Sequence, residues 1–245
     1  MISISMRATD FEFRHRYFLI MAIYAVGFSC YWIDHRNAAQ ALLSLIGQDH
    51  NMFAIRWLIA FGALVIALGA LLRTWAAAYL KSDIVHDTAL HSDKLVADGP
   101  YRRLRNPLYA GVFLMNAGLG LLASRLGFCV IFFASLVFYG RLLLREEAQM
   151  LATQGESYAR FLDAVPCLWP SLTPRLPAGG RTPEWGQAFL GEVTIWALAV
   201  ATLMYAVTLR VWITYSIIAL ALAWGMIAQV RGRRKRARES GAGPV

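Results

Sequence analysis

Six apolar runs constrain everything this chain can become: residues 17–33, 57–72, 108–123, 126–140, 188–209 and 211–230. Each is apolar on all sides, so none can serve as one face of a soluble bundle. Only 16% of the residues are charged and the mean hydropathy is +0.48, where soluble domains carry about a quarter charged residues. The expectation is therefore an all-α, polytopic membrane helix bundle of about six transmembrane helices. Runs 108–123 and 126–140 are joined by only Ser124 and Arg125, so they must be antiparallel neighbours. Both fall short of the roughly 17–25 residues of a usual crossing, and Arg125 is expected to snorkel at their tip. Run 57–72 is expected to continue as helix from Arg73 to Leu80, where no Gly or Pro interrupts it. Tyr31, Trp32, Trp75 and Tyr79 sit where aromatic rings favour the headgroup level. A short interfacial helix is expected over 38–46, and a helical extension into water over 141–155, with a further turn at 157–161. Six prolines and glycines from Pro166 to Gly180 make 166–183 a loop.

The net charge of +9 raises the question of nucleic acid. The charges lie between the apolar runs, as membrane topology alone dictates, and no nucleic-acid partner is expected. Of 24 Lys and Arg, all but Arg36, Arg56, Arg125 and Arg210 fall on the side of the head. That bias places both termini in the cytoplasm, in the manner of a bacterial inner-membrane protein. No cleavable signal peptide is recognised before the first run. Cys30, Cys129 and Cys167 are scattered, without the spacing of a disulfide framework or a zinc site. His15, His35, His50, His86 and His91 show no metal spacing either. Glu192, near the start of the fifth run, reads most simply as an interfacial snorkel.

Two polar clusters bracket the central hairpin on its cytoplasmic side: residues 93–107 before it and Arg145-Glu146-Glu147 after it. Gly99-Pro100 turns the chain after an extended Lys94–Val96 stretch. Asn106-Pro107 has the chemistry of an N-cap followed by the first helical residue. The third helix then aims its positive dipole end at this loop, where Arg102, Arg103 and Arg105 add charge and an anion would be drawn. A basic loop gathering anionic lipid headgroups would look similar. Glu146 and Glu147 diverge by about 100° on a helix, so one can face a pocket while the other faces water. Arg141 and Arg145, four apart, share a face.

Leu95-Val96, Gly99-Pro100-Tyr101, Arg105-Asn106-Pro107-Leu108-Tyr109-Ala110-Gly111, then Arg145-Glu146-Glu147, Gly155-Glu156-Ser157-Tyr158 and Val165-Pro166 follow one another in order. In this, residues 81–172 resemble the isoprenylcysteine carboxyl methyltransferase family and its phospholipid-methyltransferase relatives. The resemblance implies S-adenosylmethionine bound at the cytosolic face and a lipophilic acceptor, a small molecule or a lipidated one, arriving from the bilayer. Its cofactor contacts fall on His86, Asp93, Lys94, Leu95, Val96, Tyr101, Asn106, Pro107, Leu108, Tyr109 and Glu146. Two positions depart from the family: Asn106 and Asp93 both stand where it usually has His.

On chemical grounds Glu146 would hold the cofactor's amino group, backbone near Leu95 and Val96 would read adenine, and Tyr101 or Tyr109 would pack its ring. A carboxylate acceptor needs no base and would be oriented by Arg141 or Arg145; an ammonium acceptor needs one, and Glu147 is nearest. The leading expectation is O-methylation of a carboxylate, with N-methylation of a phospholipid or amine, or a non-catalytic lipid-binding scaffold, as alternatives. The chain then divides into N-terminal membrane helices (1–80), a methyltransferase core (81–172), a linker (173–187), a C-terminal helix pair (188–230) and a basic tail (231–245).

Overall fold

A computed structural model describes residues 6–80 and 97–239, with side chains through residue 227. His86, Asp93, Lys94, Leu95 and Val96, with the extended stretch expected there, lie outside the described residues. Among those described the fold is all-helical, apart from an isolated antiparallel bridge between Asn37 and Ser124. It opens with α1 (Asp10–Arg14) and α2 (Arg16–Ser29), the latter ending in a tight turn at Cys30–Trp32. Next come α3 (Ala38–Ser44), capped by the Asn37 side chain, and α4 (Met52–Tyr79), capped by Asn51. A tight turn, Gly99–Arg102, leads to α5 (Pro107–Gly120). The hairpin partner α6 runs continuously from Arg125 to Gln154, through one wide turn at Val130–Ala134 that shifts its register. It is followed by α7 (Glu156–Ala164), α8 (Trp185–Gly191), α9 (Val193–Thr208) and α10 (Val211–Glu239).

The polar head is not a loose tail. Thr9 and Glu12 form a reciprocal capping box that starts α1. The 141–155 extension and the 166–183 loop are found as expected. The fifth run is not one helix: α8 and α9 meet at Glu192 with a 60° bend.

Helices α4 and α5 form the centre of the bundle, and glycines bring them together. A Cβ on Gly69 would stand 2.5 Å from the Gly111 carbonyl oxygen, and one on Gly62 would stand 3.0 Å from that of Gly118. Small residues at such crossings let backbones approach closely, which is how helices associate in lipid. Helix α9 packs on the other side of α4, where the Trp196 indole donates to Thr74 Oγ1 at 3.0 Å.

By length and composition α4 and α6 can each cross a membrane, and the bent α8–α9 pair makes a third span if taken as one. Helices α2 and α5 have 14 residues each, or about 21 Å against a hydrocarbon core of about 30 Å. Length and composition thus support two to three spans rather than six.

Candidate functional site

The turn before α5 is built by Gly99, whose φ of +57° only glycine adopts without strain. Asp98 locks it from outside, accepting from the backbone N–H groups of Gly179 (2.6 Å) and Arg181 (3.0 Å). Tyr101 and Leu104 turn inward and are buried. Burial holds the Tyr101 hydroxyl well above the ordinary phenol range, so it stays protonated.

The three arginines of this turn do not form an open anion site. Arg102 donates to the Leu176 carbonyl at 2.7 Å, and Arg103 to those of Leu172 and Ser171. They fasten the 166–183 loop over the turn. Arg105 donates to the Leu162 carbonyl at 2.7 Å and places its Nε 3.4 Å from Glu147. The reason is local: helix ends and loops expose carbonyls, and a guanidinium reaches them more cheaply than it stays half-buried and unmatched.

Asn106 occupies the N-cap position of α5, but its side chain does not cap the helix. It donates instead to Glu147 Oε1 at 3.0 Å and toward the Cys167 carbonyl at 3.4 Å. The first N–H groups of α5 therefore carry no side-chain cap, and the helix opens at the edge of a cavity.

That cavity has a volume of about 1210 Å³, above the usual few hundred to one thousand of a single small-molecule site. Tyr101, Asn106, Pro107, Leu108, Tyr109, Glu146 and Glu147 all line it. The two polar clusters, some forty residues apart in sequence, thus share one space. At its head the Tyr109 hydroxyl and the Glu146 carboxyl line the same space. The Tyr109 ring meets that of Tyr139 edge-on, centroids 5.8 Å apart. Tyr24 adds a hydroxyl that donates to Asn116 Oδ1 at 2.6 Å. Arg16, Arg73 and Arg105 also line it, and much of the rest is apolar, carried by α5 (Val112, Met115, Leu119) and α9 (Ile195, Leu198), as far as Tyr31 and Asn37 near the opposite end of the bundle.

Arg141 and Arg145 are not brought to this cavity. Arg141 holds Glu12 through Nε (3.1 Å) and a terminal nitrogen (2.8 Å). Arg145 holds Asp10 at 2.6 Å and the Ala8 carbonyl at 3.1 Å. Helical geometry explains the separation: their shared face lies about 100° from that of Glu146. Glu192 is no snorkel. It is fully buried and accepts two hydrogen bonds from Arg73, both 2.9 Å, in a closed ion pair between the α8–α9 break and α4.

Residues 57–156 match the phospholipid methyltransferase family. The matched segment starts within α4 and ends at the first residue of α7. It holds Arg73, Tyr101, Asn106, Tyr109, Glu146 and Glu147. Lining residues from α2, α9 and α10 fall outside it. A curated relative, the cobalt-zinc-cadmium resistance protein CzcN of Cupriavidus metallidurans, is 26% identical over 116 residues, 47% of this chain and 50% of the relative. The chain thus spans about half the length of that relative. No solved structure matches. Among the described residues no group of three or more His, Cys, Asp or Glu is placed to hold a metal ion.

Sequence reasoning passed over Arg16, Arg73 and Tyr24, all of which line the cavity. For Arg73 a signal existed: a lone cation inside one apolar helix and a lone acid inside another are each costly in a membrane unless they meet.

Proposed function

We propose that this chain transfers a methyl group from S-adenosylmethionine to a lipophilic acceptor at the cytoplasmic face of a membrane, with both termini on that side and about six crossings. The reading rests on one observation above the others. The polar head at Tyr101, Asn106, Tyr109 and Glu146 and the long apolar body belong to the same cavity, so a soluble donor and a membrane-borne acceptor can meet there.

The donor set fits the cofactor. An uncapped helix N-terminus suits its carboxylate, Glu146 suits its ammonium, and the buried Tyr101 offers a flat apolar face beside the sulfonium or the base. When bound, the cofactor supplies an electrophilic methyl group on a cationic sulfur. The protein's own share is positioning and exclusion of water, since an in-line displacement has little covalent work for side chains. Glu147 is held by Asn106 and Arg105, so it braces the loop against α6 and keeps Glu146 turned inward.

We read the acceptor group as a carboxylate, which is nucleophilic when ionised and needs no base. N-methylation of an amine is favoured by a different observation: Glu147 also lines the cavity and would serve as base if released from its partners. Incubating membranes and purified protein with methyl-labelled S-adenosylmethionine decides between them. Label in a base-labile lipid product supports the ester, label in a base-stable product the amine. No cofactor binding by the purified protein would remove both readings and leave a lipid-binding scaffold.

A further inference from the structure

A second cavity, of about 360 Å³, shares no lining residue with the large one. Tyr101 faces the large cavity, while Arg102 and Arg103, next in sequence, face this one. Its other walls are the end of α4, with Trp75 and Tyr79, and the 166–183 loop as far as Arg181. These walls are fixed against one another. The Tyr79 ring lies on Gly99 and leaves no room for a Cβ there. The Asp98 carboxylate, itself buried, spends both oxygens on the N–H groups of Gly179 and Arg181. The Arg181 side chain crosses back to α4 and donates to the Tyr79 carbonyl at 2.8 Å.

Arg102, Arg103 and Arg181 all line this space. Arg102 is tied through Nε, and Arg103 and Arg181 through one terminal nitrogen each, all to backbone carbonyls. Two nitrogens of each guanidinium stand outside these bonds. Arg36, Arg73, Arg105, Arg125, Arg141 and Arg145 each sit against a carboxylate. Among the described residues no carboxylate pairs with the three arginines of the second cavity. Three cations facing one small space repel one another unless an anion joins them. The same loop exposes two large apolar side chains, Trp169 (85%) and Leu172 (94%). Exposed apolar groups beside a basic cluster suit a membrane surface, and a free anion in water would gain nothing from them.

We infer that the second cavity binds the phosphate of an anionic phospholipid, held by Arg102, Arg103 and Arg181, with Trp169 and Leu172 entering the same leaflet. Planar guanidinium forks suit phosphate oxygens bidentately. The lipid bound here is a retained one and not the methyl acceptor, because its phosphate lies outside the lining around Glu146. By bridging the turn and the loop it steadies the segment that carries Tyr101. The inference goes beyond the methyltransferase reading and stands without it.

The test uses the full chain in dodecyl maltoside, as parent, as Arg103→Gln with Arg181→Gln, and as Trp169→Ser with Leu172→Ser. Native mass spectrometry reads the retention of added dioleoylphosphatidylglycerol against dioleoylphosphatidylcholine. Thermal unfolding reads stabilisation by each lipid and by inorganic phosphate, and calorimetry reads S-adenosylmethionine binding. The parent is expected to prefer phosphatidylglycerol, and to lose that preference as salt is raised. The arginine variant is expected to bind it about fivefold more weakly for each guanidinium removed, with cofactor affinity unchanged. The serine variant, altered only at exposed side chains, is expected to fold as the parent does and to hold the lipid less well. Equal retention of the two lipids by the parent overturns the inference, as does a preference insensitive to salt or unchanged in the arginine variant. Equal stabilisation by inorganic phosphate overturns the lipid as its source. Loss of cofactor affinity in the arginine variant also overturns it, since the cavity would then serve the cofactor. Arginine-dependent lipid retention in a protein that binds no cofactor would sustain this site and sink the methyltransferase reading alone.

Discussion

Glu146 and Glu147 are adjacent, yet one reaches the tyrosines at the head of the cavity while the other is clamped between Asn106 and Arg105. Their substitutions should separate cleanly. Glu146→Gln is expected to weaken S-adenosylmethionine binding by roughly ten- to hundredfold, the worth of one hydrogen bond to a charge, with little change in thermal stability. Glu147→Gln is expected to do the reverse: cofactor affinity within about threefold, but a lower Tm, because Arg105 loses its carboxylate. Calorimetry and thermal unfolding of the two variants check both halves. The Arg73–Glu192 pair carries a sharper stability signature. Glu192→Gln leaves a guanidinium in an apolar interior and should cost about 3–5 kcal/mol, whereas the double change Arg73→Met with Glu192→Leu should recover most of it. Failure of the double variant to recover would mean the pair does more than neutralise itself. That Tyr101, Asn106, Tyr109 and Glu146 share one cavity was legible from the order of the polar segments around the hairpin. Partners were not: nothing in Arg141-x-x-x-Arg145 tells that Glu12 and Asp10, more than a hundred residues earlier, will claim both side chains.

At the scale of elements, the helix from Arg125 to Gln154 was legible because its apolar half passes into a polar half without a breaker, and the 166–183 loop because prolines punctuate it. Helix α1 was missed because five residues show no periodicity, although Thr9-x-x-Glu12 is a capping-box signature. The break at Glu192 was missed because hydropathy averages over a single charge. The α4–α5 crossing yields a graded prediction. A Cβ on Gly69 would meet backbone at 2.5 Å, one on Gly62 at 3.0 Å, and one on Gly140 nothing within 4 Å. Gly69→Ala should therefore destabilise by about 1–3 kcal/mol or more, Gly62→Ala by less, and Gly140→Ala should stabilise by about 0.5–1 kcal/mol through helix propensity. Unfolding in mixed detergent ranks the three; an equal effect at all sites would refute close crossing. The α1 strap adds a pH dependence. Hydrogen bonding from Arg141, with help from the Thr9 backbone, depresses the Glu12 carboxyl from 4.5 to about 2. A depressed acid stabilises the fold above its unfolded pKa, so the strap should be fully held above about pH 4.5 and loosen as pH falls toward 2. Hydrogen exchange of amides 8–14, corrected for intrinsic rate, should rise over that window in the parent and be already fast at neutral pH in Glu12→Gln.

For the whole molecule, the open quantity is how many times the chain crosses the bilayer, and the geometry makes an answer measurable. The charged segments that hold the cavity's head, 98–106 and 141–183, all lie at one end of α4, α5 and α6. Asp34, Asn37, Ser124 and Arg125 lie at the other, joined by the Asn37–Ser124 bridge and by the Arg125–Asp34 ion pair at 2.9 Å. Arg125, expected to snorkel, is paired with a carboxylate, and its hydrogen bonds hold the Asp34 carboxyl down at about 2. Helices α2 and α5 are too short to span a bilayer of ordinary thickness by themselves, but they lie beside the longer α4 and α6, and a bundle of unequal helices is accommodated by thinning the bilayer and by interfacial anchors. Six crossings would require each of α2, α4, α5, α6, α9 and α10 to carry the chain from one charged end to the other, where length and composition support two to three spans. Single cysteines in a background lacking Cys30, Cys129 and Cys167 test this in intact cells. Ser44→Cys, beyond the Asn37 end, should react with a membrane-impermeant maleimide from outside, while Thr173→Cys, on the loop over the cavity's head, should react only after the cells are opened. Labelling of both from the same side would mean that α2 or α5 lies in the interface instead of crossing it, and the cavity would then open to the headgroups along its length instead of running from one leaflet into the other.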